Sequence, residues 1–416
     1  MNGNELPILR PATRLTLLPP ATFFQYTSCP TLSAMRFTVL AGLLLGIAQA
    51  VVVPSHSGPF SVTMQVKALT DQSRTDPFNK TVKRQVLLSV FSPIPDGTKC
   101  SNEIIAYMPS VTAASYGTLA QSAGLPADIF SSFQLELCKL PNVHNRNCQE
   151  AGRTTRFPLV LFSPGMAESR LLYSVTAKSI AAQGYFVVTI DHPYEAEVVE
   201  FPDGSVVRRN GTMTGLEEQL AEIRALDMSF ILSQLRQLSS SGDPLFRSLP
   251  TKINFDHVIA MGHSLGGAAA AQVLALHEHM LGGINLDGRL FNPVLESGTK
   301  QPFMLLGREK HADEDETWNS FWETLPGPKA MVGVAGTTHA SFTDIPALIQ
   351  SLGLPADVQS QVERLLGTTG GRRMQEIMAG VCASFFTSVF TGKYRPLLDA
   401  VQEFSEVVVR KSRFQG

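Results

Sequence analysis

From residue 157 onwards, short apolar runs alternate with longer stretches whose apolar residues recur at helical spacing. The runs predict strands over Phe157–Phe162, Tyr185–Ile190, His257–Met261, Gly283–Leu286, Pro302–Leu306 and Ala330–Val334. The helical spacing falls between them, over Leu171–Gln183, Gly215–Leu238 and Leu265–Leu276. Strands that are apolar throughout are buried on both faces, so the pattern predicts an α/β fold: a mainly parallel sheet with helices on both sides. Upstream, Val62–Leu69 and Val82–Phe91 read as further strands, with Asp71-Gln72-Ser73-Arg74-Thr75-Asp76-Pro77 as the loop between them. Residues 93–156 are dense in Pro, Ser and Asn and predict an irregular insertion with one or two short helices; a second insertion covers 195–215. Beyond Asp344, helices are expected near Pro346–Leu352, Asp357–Leu366 and Met374–Phe390, completing one domain over residues 51–416.

The N-terminus breaks this rhythm. Met35-Arg36 precedes a 12-residue apolar run, Phe37–Ala48, and Ala48-Gln49-Ala50 has the small-x-small form of a cleavage site. This is the layout of a secretory signal peptide over 35–50, cut after Ala50. Twelve residues fall short of the ~20 needed to cross a bilayer, so no membrane span is expected. The Pro-bearing residues 1–34 read as a misassigned start, which makes 1–50 a leader and the protein secreted. Asn79-Lys80-Thr81 and Asn210-Gly211-Thr212 are N-glycosylation acceptors, in keeping with export. Without the leader, Cys100, Cys138, Cys148 and Cys382 remain, an even number that suits two disulfides. All three pairings stay open, with Cys138–Cys148 favoured by the short loop between them. The 44% hydrophobic and 17% charged composition excludes a disordered chain. A net charge of -2 without a Lys/Arg run gives no basis for a nucleic-acid partner.

The chemistry concentrates at Gly262-His263-Ser264-Leu265-Gly266, directly after a predicted strand and directly before a small-residue helix. This G-x-S-x-G arrangement is the nucleophile elbow of α/β-hydrolases, in which Gly262 and Gly266 permit close packing around a strained turn that exposes Ser264. A serine needs a base, and the base needs an acid to hold its tautomer; in this fold they follow in the order Ser, acid, His. His339 lies just past the last predicted strand, where the base belongs. His277 and His279 are read as helical, and His311 as part of a solvated acidic loop. Asp287 ends the strand Gly283–Leu286 and is preferred as the acid over its rivals Asp313 and Asp315. The tetrahedral oxyanion requires fixed N–H donors. One is the Leu265 backbone. The other comes from Ser163-Pro164-Gly165-Met166-Ala167, where Pro164 has no N–H and Gly165 or Met166 must serve. His277-Glu278-His279 lacks the H-E-x-x-H spacing, and Asp313–Glu316 lacks the glycine of a calcium loop, so no metal and no cofactor are expected. His192 reads as a hydrogen-bonded loop histidine.

These residues resemble the platelet-activating-factor acetylhydrolase family, in its secreted form and fungal relatives, from about Gly58 to Asp344. The resemblance rests on Asp71–Pro77, Phe162-Ser163-Pro164-Gly165, Gly262–Gly267, Asn285-Leu286-Asp287 and His339-Ala340-Ser341-Phe342-Thr343-Asp344. It implies the triad Ser264, Asp287 and His339, with Met166 and Leu265 as oxyanion donors. It also implies calcium-independent release of short sn-2 acyl groups from a lipid ester, with transient contact to a membrane or lipoprotein surface. The family often has His where this chain has Pro164. A general carboxylesterase or polyester hydrolase is the alternative, and a non-catalytic binding module on the same fold a remote one.

Overall fold

Nine strands form the central sheet of the computed structural model, which describes residues 50–122, 124–141 and 155–414. In chain order they are β1 (Ser61–Thr75), β2 (Lys83–Ile94), β3 (Arg156–Ser163), β4 (Phe186–Asp191), β5 (Lys252–His263), β6 (Gly282–Leu286), β7 (Phe303–Arg308), β8 (Lys329–Val334) and β9 (Val407–Arg413). They lie side by side as β9-β8-β7-β6-β5-β3-β4-β2-β1. The six strands from β4 to β8 run parallel. β2 joins β4 antiparallel and pairs with β1, while β9 closes the other side antiparallel to β8. Side chains alternate across the sheet, so each apolar strand feeds two cores. Leu159, Leu161, Val188, Val258, Ala260 and Leu305 pack with Met228 and Ile231 of helix Glu217–Ser241 and with Ala269 and Ala270 of helix Leu265–Leu276. Val160, Phe162, Val187, Ile259, Met261 and Ile284 pack on the opposite face, with Ile180 of helix Ser174–Ala181 and Ile377 of helix Gly371–Thr391. The expected α/β class and its mainly parallel sheet are therefore present.

Several expectations need correction. Asp71–Thr75 is not loop but the end of β1, which continues past a bulge to pair Thr75 with Lys83. The 93–156 insertion is more ordered than its composition suggests: Ser101–Ala106 pairs antiparallel with Phe133–Lys139, which Val51–Val52 joins in parallel. In that register Asn102 faces Cys138, and Cys138 is bonded to Cys100 with the Cα atoms 5.5 Å apart. This overturns the Cys138–Cys148 preference. Cys382 is a buried free thiol. The second insertion folds as a hairpin, Val198–Glu200 with Val206–Arg208. Cys148 and the expected leader, apart from Ala50, lie outside the described residues. Among the described residues no helix is long and apolar enough to cross a membrane.

Candidate active site

β5 ends at His263 and the next helix begins at Leu265, leaving Ser264 alone in the turn with φ 54° and ψ -125°. A non-glycine residue rarely takes this conformation, and here the surroundings impose it. The Ser264 N–H donates to Leu286 O at 2.8 Å. A Cβ on Gly262 would stand 2.2 Å from Gly266 O, and one on Gly266 only 2.0 Å from Ser163 O. Strand, helix and the loop after β3 thus meet too closely for any side chain, which is why both positions are glycine. Leu265 opens the helix, so its N–H has no carbonyl of the same helix to bind.

Asp287 follows β6 directly, is buried, and also has a positive φ of 50°. Its Oδ2 accepts from His339 Nδ1 at 2.6 Å and from Arg308 Nε at 2.9 Å. Its Oδ1 accepts from His311 Nδ1 and from the Arg308 N–H, both at 2.8 Å. A carboxylate only accepts, so Nδ1 of His339 carries the proton and Nε2 keeps a lone pair in the neutral ring. Burial alone would raise the Asp287 carboxyl; the bonds from His311 and His339 outweigh it and hold the group well below the usual carboxylate range. His339 opens the short turn His339–Phe342 after β8 and is exposed. No hydrogen bond joins Ser264 Oγ to His339 Nε2 in this structure; in free enzymes such contacts are often long and tighten with substrate. Of the rival acids, Asp313 pairs with Arg410 at 2.9 Å and Asp315 caps helix Glu316–Thr324 through the Thr317 N–H.

His311 is the main misreading. It is buried, not solvated, because its segment folds back so that the imidazole lies 4.2 Å from the Trp318 ring and reaches Asp287. Burial pulls its pKa down, but the hydrogen bonds to Asp287 and Asp315 more than compensate and raise it. His277 is also not within the helix; it caps the end and contacts Ser229 Oγ. His192 is a hydrogen-bonded loop histidine as expected, between Ser163 Oγ at 3.0 Å and Asp227 at 2.9 Å.

In the loop after β3, the Gly165 N–H is taken by Glu168 Oε2 at 3.1 Å and Tyr173 Oη at 3.0 Å. The Met166 N–H has no partner among the described residues. Met166 packs against the apolar cluster that holds Leu265 and Met213, as do Phe78 and Phe291, so the residues bearing the two candidate donors border one apolar cluster. Sequence reasoning missed the supports of this loop. His263, inside the elbow motif itself, contacts Tyr173 Oη through Nδ1 at 2.7 Å and His339 O through Nε2 at 3.1 Å. Asp344, at the end of the His339 motif, accepts from the Val175 and Thr176 N–H groups and from Tyr107 Oη. Both residues lie within the Gly262–Gly267 and His339–Asp344 motifs, but their partners are distant in sequence and carry no sequence signal. Of the two glycosylation acceptors, Asn210 is exposed, while Asn79 is half-buried with its Nδ2 donating to Tyr194 Oη at 3.0 Å.

Comparison with known proteins gives the chain a family. The family described as "Platelet-activating factor acetylhydrolase, isoform II" matches residues 45–201 and 213–362. A probable 1-alkyl-2-acetylglycerophosphocholine esterase of Arthroderma benhamiae is 27% identical over 371 residues, covering 85% of this chain and 92% of the relative. The platelet-activating factor acetylhydrolase of Cavia porcellus is 27% identical over 241 residues, 50% of this chain and 54% of its own. Among solved structures, a ferulic acid esterase from Streptomyces cinnamoneus superposes with a TM-score of 0.67 at 25% identity, covering 87% of this chain and 100% of that one. An elbow serine, a histidine–aspartate pair beyond the ends of two strands of the same parallel sheet and a family match over most of the chain lead to one assignment: this protein is an ester hydrolase of the α/β-hydrolase fold and belongs to the platelet-activating factor acetylhydrolase isoform II family.

Proposed function

We propose that the protein removes short acyl groups, acetyl above all, from the sn-2 position of phospholipids through an acyl-enzyme on Ser264. The observation that carries the reading is the 2.6 Å bond from His339 to a buried Asp287, on the strand next to that of the elbow serine. Ser264 Oγ attacks the ester carbonyl as His339 Nε2 takes its proton, and Asp287 steadies the imidazolium. The oxyanion is met by the N–H groups of Leu265 and Met166. On collapse the lysophospholipid alkoxide leaves with the proton from His339. Water, activated by the same imidazole, then releases the carboxylic acid and restores Ser264. The chain is read as one catalytic domain from residue 51, exported after loss of a leader and touching lipid surfaces only transiently. The apolar cluster of Phe78, Met213 and Phe291 beside Met166 and Leu265 favours an acyl chain of limited length.

The test compares acetyl, butyryl and palmitoyl phosphatidylcholines with the matching p-nitrophenyl esters, with and without excess chelator. A closed acyl pocket discriminates by roughly 1–3 kcal/mol per misplaced methylene, so turnover should fall steeply within a few carbons. It should ignore the chelator, and Ser264→Ala should abolish it. The likeness to a ferulic acid esterase favours a second reading, a broad carboxylesterase. Strong turnover of palmitoyl chains, or none of any phospholipid, would leave that one standing.

A further inference from the structure

Arg224 stands in the first third of helix Glu217–Ser241, is only 1% exposed, and takes no part in the triad. A guanidinium is buried at heavy desolvation cost unless its donors are matched, so its partners indicate its purpose. Nε donates to Glu195 Oε2 at 2.7 Å. Nη1 donates to Pro164 O at 2.6 Å and lies 3.5 Å from Ser163 Oγ, while Nη2 donates to Gly165 O at 3.3 Å. One side chain therefore holds three consecutive residues of the loop after β3.

The Gly165–Met166 peptide is trans, so its carbonyl and its N–H point in opposite directions within one plane. Gly165 O accepts from Arg224 and also from the Glu168 N–H at 3.2 Å, and with the carbonyl held by both the Met166 N–H points the opposite way. The Gly165 N–H is bound by Glu168 and Tyr173. Between the Pro164 and Gly165 carbonyls no backbone group of the loop is left to rotate. We propose that Arg224 is a positioning residue for the oxyanion site: it sets the plane of the Gly165–Met166 peptide and so aims the Met166 N–H, without touching any reacting atom. This rests on the reading of Ser264 as nucleophile and Met166 as donor.

The experiment uses the full chain and p-nitrophenyl acetate, with active sites counted by burst titration and folding followed by circular dichroism. Arg224→Lys keeps the charge but loses the planar fork. The pair Glu195→Gln with Arg224→Gln removes both charges together and guards against loss of fold through an unpaired carboxylate. Each should lower kcat per titrated site, approaching the 10²–10³-fold seen when an oxyanion donor is lost, with KM little changed. A merely structural role would lower the melting temperature and leave kcat per site intact. Replacing Met166 by its α-hydroxy acid analogue deletes that N–H alone; in this background Arg224→Lys should cost almost nothing more, because the two act through one bond. Unchanged kcat in the folded Arg224 variants, full activity of the analogue, or losses that simply multiply would each overturn the proposal. Turnover surviving in Ser264→Ala would instead sink the nucleophile reading beneath it.

Discussion

Two carboxylate oxygens at Asp287 receive four hydrogen bonds, two of them from imidazoles. Asp287→Asn should stay folded and lose about 10⁴-fold in kcat, because an amide NH₂ in place of an oxygen would reverse the preferred tautomer of His339. Asp313→Asn and Asp315→Asn should leave kcat near the parent value; steady-state kinetics on the three variants checks this. His311 makes the same carboxylate a matter of pH. Its pKa is raised in the folded protein, so its stabilisation is present below the ordinary value of about 6.5 and fades as pH rises through the folded value. Asp287 is depressed, so its share is present above about 3.9 and lost as pH falls through its lower folded value. The stability gap between the parent and His311→Gln should therefore be widest between these limits and narrow in alkali, as urea melts across pH would record. The places of Ser264 at the elbow and of Asp287 and His339 just past their strands were legible because apolar runs mark where those strands end. His311 was not, since the run Asp313–Glu316 beside it is largely exposed and only the fold brings Trp318 over the imidazole. Arg224 was not legible either: a charge in an amphipathic helix reads as surface.

At the scale of elements, the site depends on how tightly β5, its helix and the loop after β3 are pressed together. Gly266→Ala would push a methyl into Ser163 O, so it should cost about 1–3 kcal/mol in stability and abolish most turnover by separating Leu265 from Met166. Thermal melts and kinetics on one preparation would test both halves. The helix Leu265–Leu276 was read with its observed bounds because a strand, an elbow and a run of alanines leave no other choice. The strand Ser101–Ala106 and β9 were missed for a physical reason: both are largely exposed, so neither carries a full apolar signal. The first half of β5, Lys252–His257, was missed likewise, being only partly buried.

For the whole molecule, the six parallel strands bring their C-terminal ends to one edge of the sheet. The loop of Gly165, the elbow at Ser264, Asp287 and His339 follow β3, β5, β6 and β8 respectively, at the edge where open α/β sheets carry their sites. The far side of the sheet has a different consequence, one of colloidal behaviour. β9 is an outermost strand, and Val408 and Val409 are 39% and 36% exposed on it. A strand with one unpaired side is a template for joining other chains. Here the same strand carries Arg410, Lys411 and Arg413, with Arg410 held by Asp313 and Lys411 by Asn319. Two such edges approaching each other bring like charges together, and repulsion between exposed charges reaches only about 8 Å at physiological ionic strength. The protein should thus stay monodisperse in dilute buffer, while Lys411→Val with Arg413→Val should cloud on standing, sooner as salt is added. Light scattering over days would follow it, and the esterase activity of whatever remains in solution should be undiminished, because the guarded edge and the catalytic edge are different parts of one sheet.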